Sequence, residues 1–159
     1  MPESAGLYFS WGNIIGHPAG AGYDFSQAVY NETPGGAITE DLSLSQDAAR
    51  ASLGSPWRMP TTAEFKELFD NCTSEWTTVD GMYGLLFTSN VNGNTLFFPA
   101  AGNYDGTILN LRGSIGYYWS SSYYSVSNAR MLRFSATEVF PQYDFPRHCG
   151  ISVRAVRPA

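Results

Sequence analysis

The side chains able to support nucleophilic or metal chemistry are few: two cysteines, Cys72 and Cys149, and two histidines, His17 and His148. The cysteines define neither a disulfide framework nor a C-x-x-C motif, and a single bridge between them stays open. His17 falls in a glycine- and proline-rich stretch without a second His or a Cys at ligand spacing, so no metal is expected there. Two histidines in unrelated loops assign no Ser-His-Asp set. The expectation is a chain with no catalytic residue, no metal and no cofactor.

Binding chemistry is better represented. Across residues 116–156 two kinds of sequence alternate. One is a frame with strand-like alternation: residues 118–122, 129–132 with Phe134, and 152–156. The other is filler without a period: Tyr123, Tyr124, Val126, Phe140, Tyr143, Asp144, Phe145, Pro146, His148, Cys149 and Ile151. Tyr123, Tyr124, Tyr143 and Phe145 supply rigid contact area at low entropic cost, with Ser and Asp adding adaptable hydrogen bonds. Asp144 and Pro146 interrupt those rings, which predicts a surface rather than a core. Arg130 and Arg154, in the frame, are expected to be structural hydrogen-bonders. Arg133 is the better ligand candidate of the other two, and the role of Arg147 stays open.

Composition narrows the class. At 159 residues, with 43% apolar and 14% charged residues, the chain is read as one domain, 1–159, with a core of its own. A 15% aromatic content with 16 Gly and 9 Pro describes strands and tight turns rather than long helices. The net charge of −5 disfavours nucleic acid, since phosphate contacts need clustered bases. The six basic residues after Leu111 are all arginine, a residue suited to planar paired contacts inside a fold. No apolar run reaches membrane-spanning length, so no membrane insertion is expected. The Asn-x-Ser/Thr triplets at Asn31 and Asn71 matter only in a eukaryotic secretory context.

The elements that must hold these residues follow from periodicity. Residues 6–12 form a first strand able to pair with the last, and residues 13–36 read as an irregular loop. Residues 45–53 predict a short helix capped by Ser45, with Asp47 in its first turn. Thr61 and Glu64 form a capping box, and Phe65, Leu68, Phe69 and Cys72 fall on one helical stripe, which makes Cys72 a core thiol. Strands are expected at 75–79, 85–89 and 95–99, the last two joined by an Asn92-Gly93 hairpin. A glycine-spaced connection crosses to the C-terminal strands. Helices first and strands after predict an α+β domain, two helices packed on antiparallel sheets with long irregular loops.

WRMPTTAEF at residues 57–65, followed in order by YYWSSS, NARMLRF and GISVRAVRP, resembles the C-type-lectin-like fold. Within it the chain is similar to the branch shared by formylglycine-generating-enzyme-like domains and the variable proteins of diversity-generating retroelements, including gut Bacteroides and phage examples. The resemblance spans about residues 7–158. It implies that the coding segment for 117–156 is replaced by a template copy mutated at adenines, which turns AAY asparagine codons into many residues but never Lys, Glu, Gln, Met or Trp. Every filler residue is in the permitted set. Met131, Glu138 and Gln142 are the exceptions between Tyr123 and Ile151, in or beside frame segments. Under this reading Cys149 is one outcome of a diversified codon.

Three functions compete. An enzyme of the formylglycine-generating kind would, by that resemblance, need a reactive cysteine pair or clustered copper-binding cysteines, a pattern that Cys72 and Cys149 do not match. A calcium-dependent sugar lectin would need EPN or QPD with a later WND, where this chain has FPQYD and YWSSS. The leading expectation is recognition of a cell-surface protein or glycan through Tyr123, Tyr124, Val126, Arg133, Phe140, Tyr143 to Pro146, His148, Cys149 and Ile151. A static binding domain of the same fold is the alternative. The resemblance places such a domain at the C-terminal end of a longer protein, on a bacterial cell surface or phage tail, with its oligomeric state undetermined.

Overall fold

Thr61 begins the longer of two α-helices in the computed structural model, which describes residues 6–27 and 37–159; Asn31 and the end of the glycine- and proline-rich stretch lie outside the described residues. In α2 (Thr62–Asn71) the capping box is formed. Thr61 Oγ1 accepts from the Glu64 backbone N–H, and Glu64 Oε1 accepts from the Thr61 N–H, at 3.2 and 3.0 Å. Arg58 adds a two-pronged contact to the same carboxylate at 2.6 and 3.0 Å. Phe65 is buried and Leu68 packs beside it, but Phe69 is 41% exposed, because it falls to the side of that line. Cys72, expected as a core thiol on the helical stripe, instead caps the helix in extended conformation, begins the strand that follows and is half-buried. Before it lies α1 (Ala48–Leu53). Its N-cap is Asp47, not Ser45: one carboxylate oxygen accepts from Arg50 N and the other from Met59 N, at 2.9 and 2.8 Å. Ser43 with Gln46 caps a separate 3-10 turn, Leu44–Gln46, which takes up the predicted start.

The chain passes from Asn71 directly into β3 (Cys72–Val79), which pairs antiparallel with β4 (Met82–Ser89), and β4 pairs with β5 (Thr95–Pro99). Asp80 and Gly81 both have positive φ, so β3 and β4 are joined by a two-residue turn that matches the strand twist. Gly93 at φ +73° serves the predicted second hairpin. The connection that follows folds back as a small hairpin, β6 (Asn103–Asp105) with β7 (Ile108–Asn110), rather than simply crossing.

The central sheet has the order β10 (Val139–Pro146), β9 (Asn128–Phe134), β8 (Gly116–Tyr123), all antiparallel. Tyr143 to Pro146, expected as filler without a period, is therefore strand. One face of this sheet covers a core of Phe9, Trp11, Ile38, Ala48, Ala49, Met59 and Ile151 around Tyr117, Trp119, Ala129 and Met131. The other covers Phe65, Leu85, Phe87 and Phe98 around Tyr118, Leu132 and Phe134. A third cluster joins Tyr8, Phe25, Ala101 and Tyr104, so Phe25, in the stretch read as a surface loop, is core. The molecule is thus α+β with small antiparallel sheets, and among the described residues no helix is long and apolar enough to cross a membrane.

Two segments cross-link these layers. Leu7–Tyr8 (β1) pairs with His17–Pro18 (β2), and Phe9 then exchanges both backbone hydrogen bonds with Ile151. Residues 152–156 do not form the predicted continuous strand. Their polar groups are divided: Ser152 bridges β8 in parallel, and Val156 bridges Arg58. Trp119 Nε1 donates to Phe9 O at 2.7 Å while Trp11 Nε1 donates to Ser120 O at 2.8 Å, so each indole clamps the other's segment. Arg147, left open from sequence, is fully buried. It donates to the carbonyls of Ile38 (2.9 Å), Asn128 (3.4 Å) and Ser125, and its guanidinium lies 4.4 Å from the Trp11 ring.

Replacing Arg147 by Met leaves the buried Ile38 carbonyl and the half-buried Ser125 carbonyl without this donor, at about 1–3 kcal/mol each. Urea unfolding should show a loss of roughly 3 kcal/mol or more, with Arg147→Lys recovering less than half because an ammonium lacks the planar fork. A loss under about 1 kcal/mol in both variants would remove Arg147 from this role. For Glu64, the hydrogen bond from Arg58 leads the causes that hold its carboxyl below the usual range, against opposing desolvation. A depressed folded value means that the stabilisation is present above the ordinary carboxylate range and is lost as pH falls through the folded value. Unfolding followed down through the acid range should therefore show a smaller acid loss in Glu64→Gln than in the parent; equal losses would refute the linkage.

Candidate functional site

Side chains alternate across a strand, so Ala129, Met131 and Arg133 of β9 share one face. The register builds three cross-strand rows on that face: Tyr117, Arg133, Phe140; Trp119, Met131, Tyr143; and Tyr123, Ala129, Phe145. Five expected ligand residues, Tyr123, Arg133, Phe140, Tyr143 and Phe145, are thereby brought together. Phe140 and Tyr143 are three residues apart and would lie on opposite faces of a regular strand. Between them Pro141 and Gln142 oppose Leu132 alone, a β-bulge that returns Tyr143 to the face of Phe140.

Burial grades across the first two rows. Tyr117, Trp119, Ala129 and Met131 are core, whereas β10 ends the sheet and its Phe140 and Tyr143 reach the surface. Tyr143 is 45% exposed and Phe140 is half-buried. The Arg133 guanidinium stands 5.7 Å from the Phe140 ring, 5.8 Å from Tyr143 and 6.0 Å from Tyr117, within the range of cation–π attraction. Phe140 and Tyr143 lean on each other at 5.3 Å. This is a cation held among rings on a sheet edge, a surface suited to flat apolar contact combined with an anionic or hydrogen-bond-accepting group.

Tyr123 and Phe145 only partly fit the surface expectation. Both are half-buried and pack on the core, Phe145 tilted on Tyr117 at 5.0 Å and Tyr123 beneath the Arg147 guanidinium at 5.4 Å. They support the face more than they present it.

The remaining expected residues fall elsewhere. Tyr124 and Asp144 belong to the opposite face, where Asn128 Nδ2 donates to Asp144 at 2.8 Å and Arg130 lies 4.2 Å from the Tyr124 ring. Tyr124 is 46% exposed; Val126 is exposed in the β8–β9 loop, and Pro146 is half-buried at the end of β10. Arg130, expected to be purely structural, both donates to Gln142 O and supports Tyr124. Ile151 and Cys149 are buried and do not belong to a face that could meet a protein or glycan, since residues 147–152 thread between the β1 segment, β6 and β8. Burial first, and the Asp105 carboxylate second, push the Cys149 thiol up to about 12. Cys72 and Cys149 are both free thiols. His148 is half-buried, with Nε2 3.3 Å from Asp105 Oδ1 and 3.6 Å from Cys149 Sγ. Sequence reasoning missed Asp105 in this group. The adjacency of His148 and Cys149 was the visible half of the signal, and the carboxylate arrives from a hairpin 43 residues upstream.

No protein-family model, curated protein or solved structure matches the chain.

Tyr143→Ala and Phe145→Ala separate presenter from support. Thermal unfolding should leave Tyr143→Ala within about 0.5 kcal/mol of the parent and cost Phe145→Ala about 1–3 kcal/mol. Equal losses would place both rings in the core.

Proposed function

We propose that this chain is a ligand-recognition domain of the C-type-lectin-like fold, binding a cell-surface protein or glycan through the Arg133, Phe140 and Tyr143 edge of its central sheet. The carrying observation is the gradient along the first two rows: frame side chains are buried, while Phe140 and Tyr143 of β10 project from an edge whose backbone is held independently of them. Paratope-like chemistry supports it as well, with rigid rings beside one cation and adaptable polar neighbours. The ordered motifs at residues 57–65 and in the C-terminal strands add the resemblance to variable proteins of diversity-generating retroelements. We therefore assign residues 117–156 as the variable region and a bacterial cell surface or phage tail as its place. No catalytic role is proposed.

One observation favours the static alternative, a binding domain of the same fold without diversification. Cys149 and Ile151 are core, and Phe145 is partly so, and free variation there would cost stability.

Two measurements test the reading. Screening the intact domain against arrayed bacterial-surface glycans and proteins should yield a ligand whose affinity falls about tenfold or more in Arg133→Ala and Tyr143→Ala, with circular dichroism unchanged. A ligand insensitive to both variants would move the site off this edge. In the source genome, a reverse transcriptase and an imperfect repeat of the 117–156 coding segment, differing at template adenines, are expected nearby. Their absence would leave the static domain.

A further inference from the structure

Apart from the ring face, Asp105, His148 and Cys149 bring a carboxylate, an imidazole and a thiol together, with all three ligand atoms within 4.8 Å of one another. Ions such as calcium and magnesium take oxygen donors, whereas a mixed S, N, O set suits zinc-class cations. Tetrahedral zinc, with bonds of about 2.3 Å to S, 2.0–2.1 Å to N and 2.0–2.2 Å to O, places S and N about 3.6 Å apart and N and O about 3.4 Å apart. The structure has 3.6 Å from Cys149 Sγ to His148 Nε2 and 3.3 Å from His148 Nε2 to Asp105 Oδ1.

The backbone holds this arrangement. Tyr104 and Gly150, the neighbours of Asp105 and Cys149, exchange both backbone hydrogen bonds at 2.8 and 2.9 Å. The buried Ser10 hydroxyl donates to His148 O at 2.7 Å, fixing the residue between them. Cys149 is buried, while the Asp105 side chain is 66% exposed and reaches the pair through His148 Nε2. Two ligands are thus fixed from the C-terminal segment, and the third closes from the β6–β7 hairpin.

We propose that Asp105, His148 and Cys149 form a three-ligand site for a zinc-class divalent cation. The fourth position opens on the solvent side beside Asp105, for water or for a donor from a bound ligand. The ion cross-links the 147–151 segment to β6, so it stabilises the region between the two core clusters that these segments border. The inference does not depend on the recognition face, since none of the three side chains is in the ring rows.

The test uses the chelator-treated protein titrated with cobalt, which reports thiolate coordination by a charge-transfer absorption, followed by displacement with zinc. One equivalent should give the band. It should be lost in Cys149→Ser and kept in Cys72→Ser, the other cysteine of the chain. Cys149 is core, so Asp105→Ala, a surface change, provides the second arm: cobalt affinity should weaken about tenfold or more, by analogy with the loss caused even by outer-shell partners. Zinc at a hundredfold excess over Kd should raise Tm by roughly 5–10 °C in the parent. Absence of the band in folded parent protein, its dependence on Cys72, or unchanged affinity in Asp105→Ala would each overturn the site.

Discussion

A fully buried guanidinium, that of Arg147, holds the part of this molecule that secondary structure cannot. The β8–β9 loop and the segment around Ile38 turn carbonyls inward where no ladder can satisfy them, and an unmet buried carbonyl is costly. Arg147 meets them with a planar fork of donors, to Ile38, Ser125 and Asn128, while its own backbone accepts from Trp11 N and donates to Ser127 O. The rings of Trp11 and Tyr123 sit against the same cation. The end of β10, the loop bearing Val126 and the N-terminal segment are therefore fixed to one another through one residue. The edge that carries Phe140 and Tyr143 inherits its position from that junction.

The frame on the other side of the sheet is held by backbone and by groups remote from the rings. Pro60 O accepts from Ser121 N, Thr62 N donates to Ser122 Oγ, and Arg58 pairs both with Val156 by backbone and with Glu64 by its guanidinium. These contacts join residues 57–62 to β8 and to the C-terminal segment, which gives the WRMPT and WSSS stretches a shared physical task. None of them uses a side chain of β10. A surface whose side chains change must rest on contacts of this kind, and here the proposed binding edge and the groups that fix it are nearly separate sets. Tyr123 and Phe145 are the overlap, lying in the ring rows and packing on the core.

Local signals were legible in the sequence, and signals that need a partner strand were not. The capping box, the Asn92-Gly93 hairpin and the strands of β3 to β5, β8 and β9 each depend on a few adjacent residues, and they stand close to where periodicity puts them, β3 and β4 each starting three residues earlier. The β10 strand hid because its bulge breaks the period of two between Phe140 and Tyr143, so a strand with three rings on one face reads as a medley. Residues 152–156 show the converse. Their alternation is strand-like, but their hydrogen bonds go to different neighbours, and no ladder results. Asp47 reads from sequence only as a first-turn residue because its second contact, to Met59, crosses a turn. Cys149 and Ile151 look interchangeable with their neighbours in sequence, and only the pairing of Phe9 with Ile151 and of Tyr104 with Gly150 shows that both are enclosed. The α+β class was legible throughout, whereas the division of the candidate residues between two faces required the register.

The form of the β10 edge bears on how it would bind. An end strand with free N–H and C=O groups invites another strand, and proteins blunt such edges with prolines, bulges and charge. β10 has Pro141 at its bulge and Pro146 at its end, two residues with no N–H to offer, and Gln142 and Asp144 between them. Regular strand addition along it would lose donors at both prolines and lose register at the bulge. The same bulge that spoils the backbone as a template is what aligns Phe140, Tyr143 and Arg133 on one face. An edge built this way discourages recognition by main-chain pairing and favours recognition by side chains, whose identity can change without altering what the backbone presents.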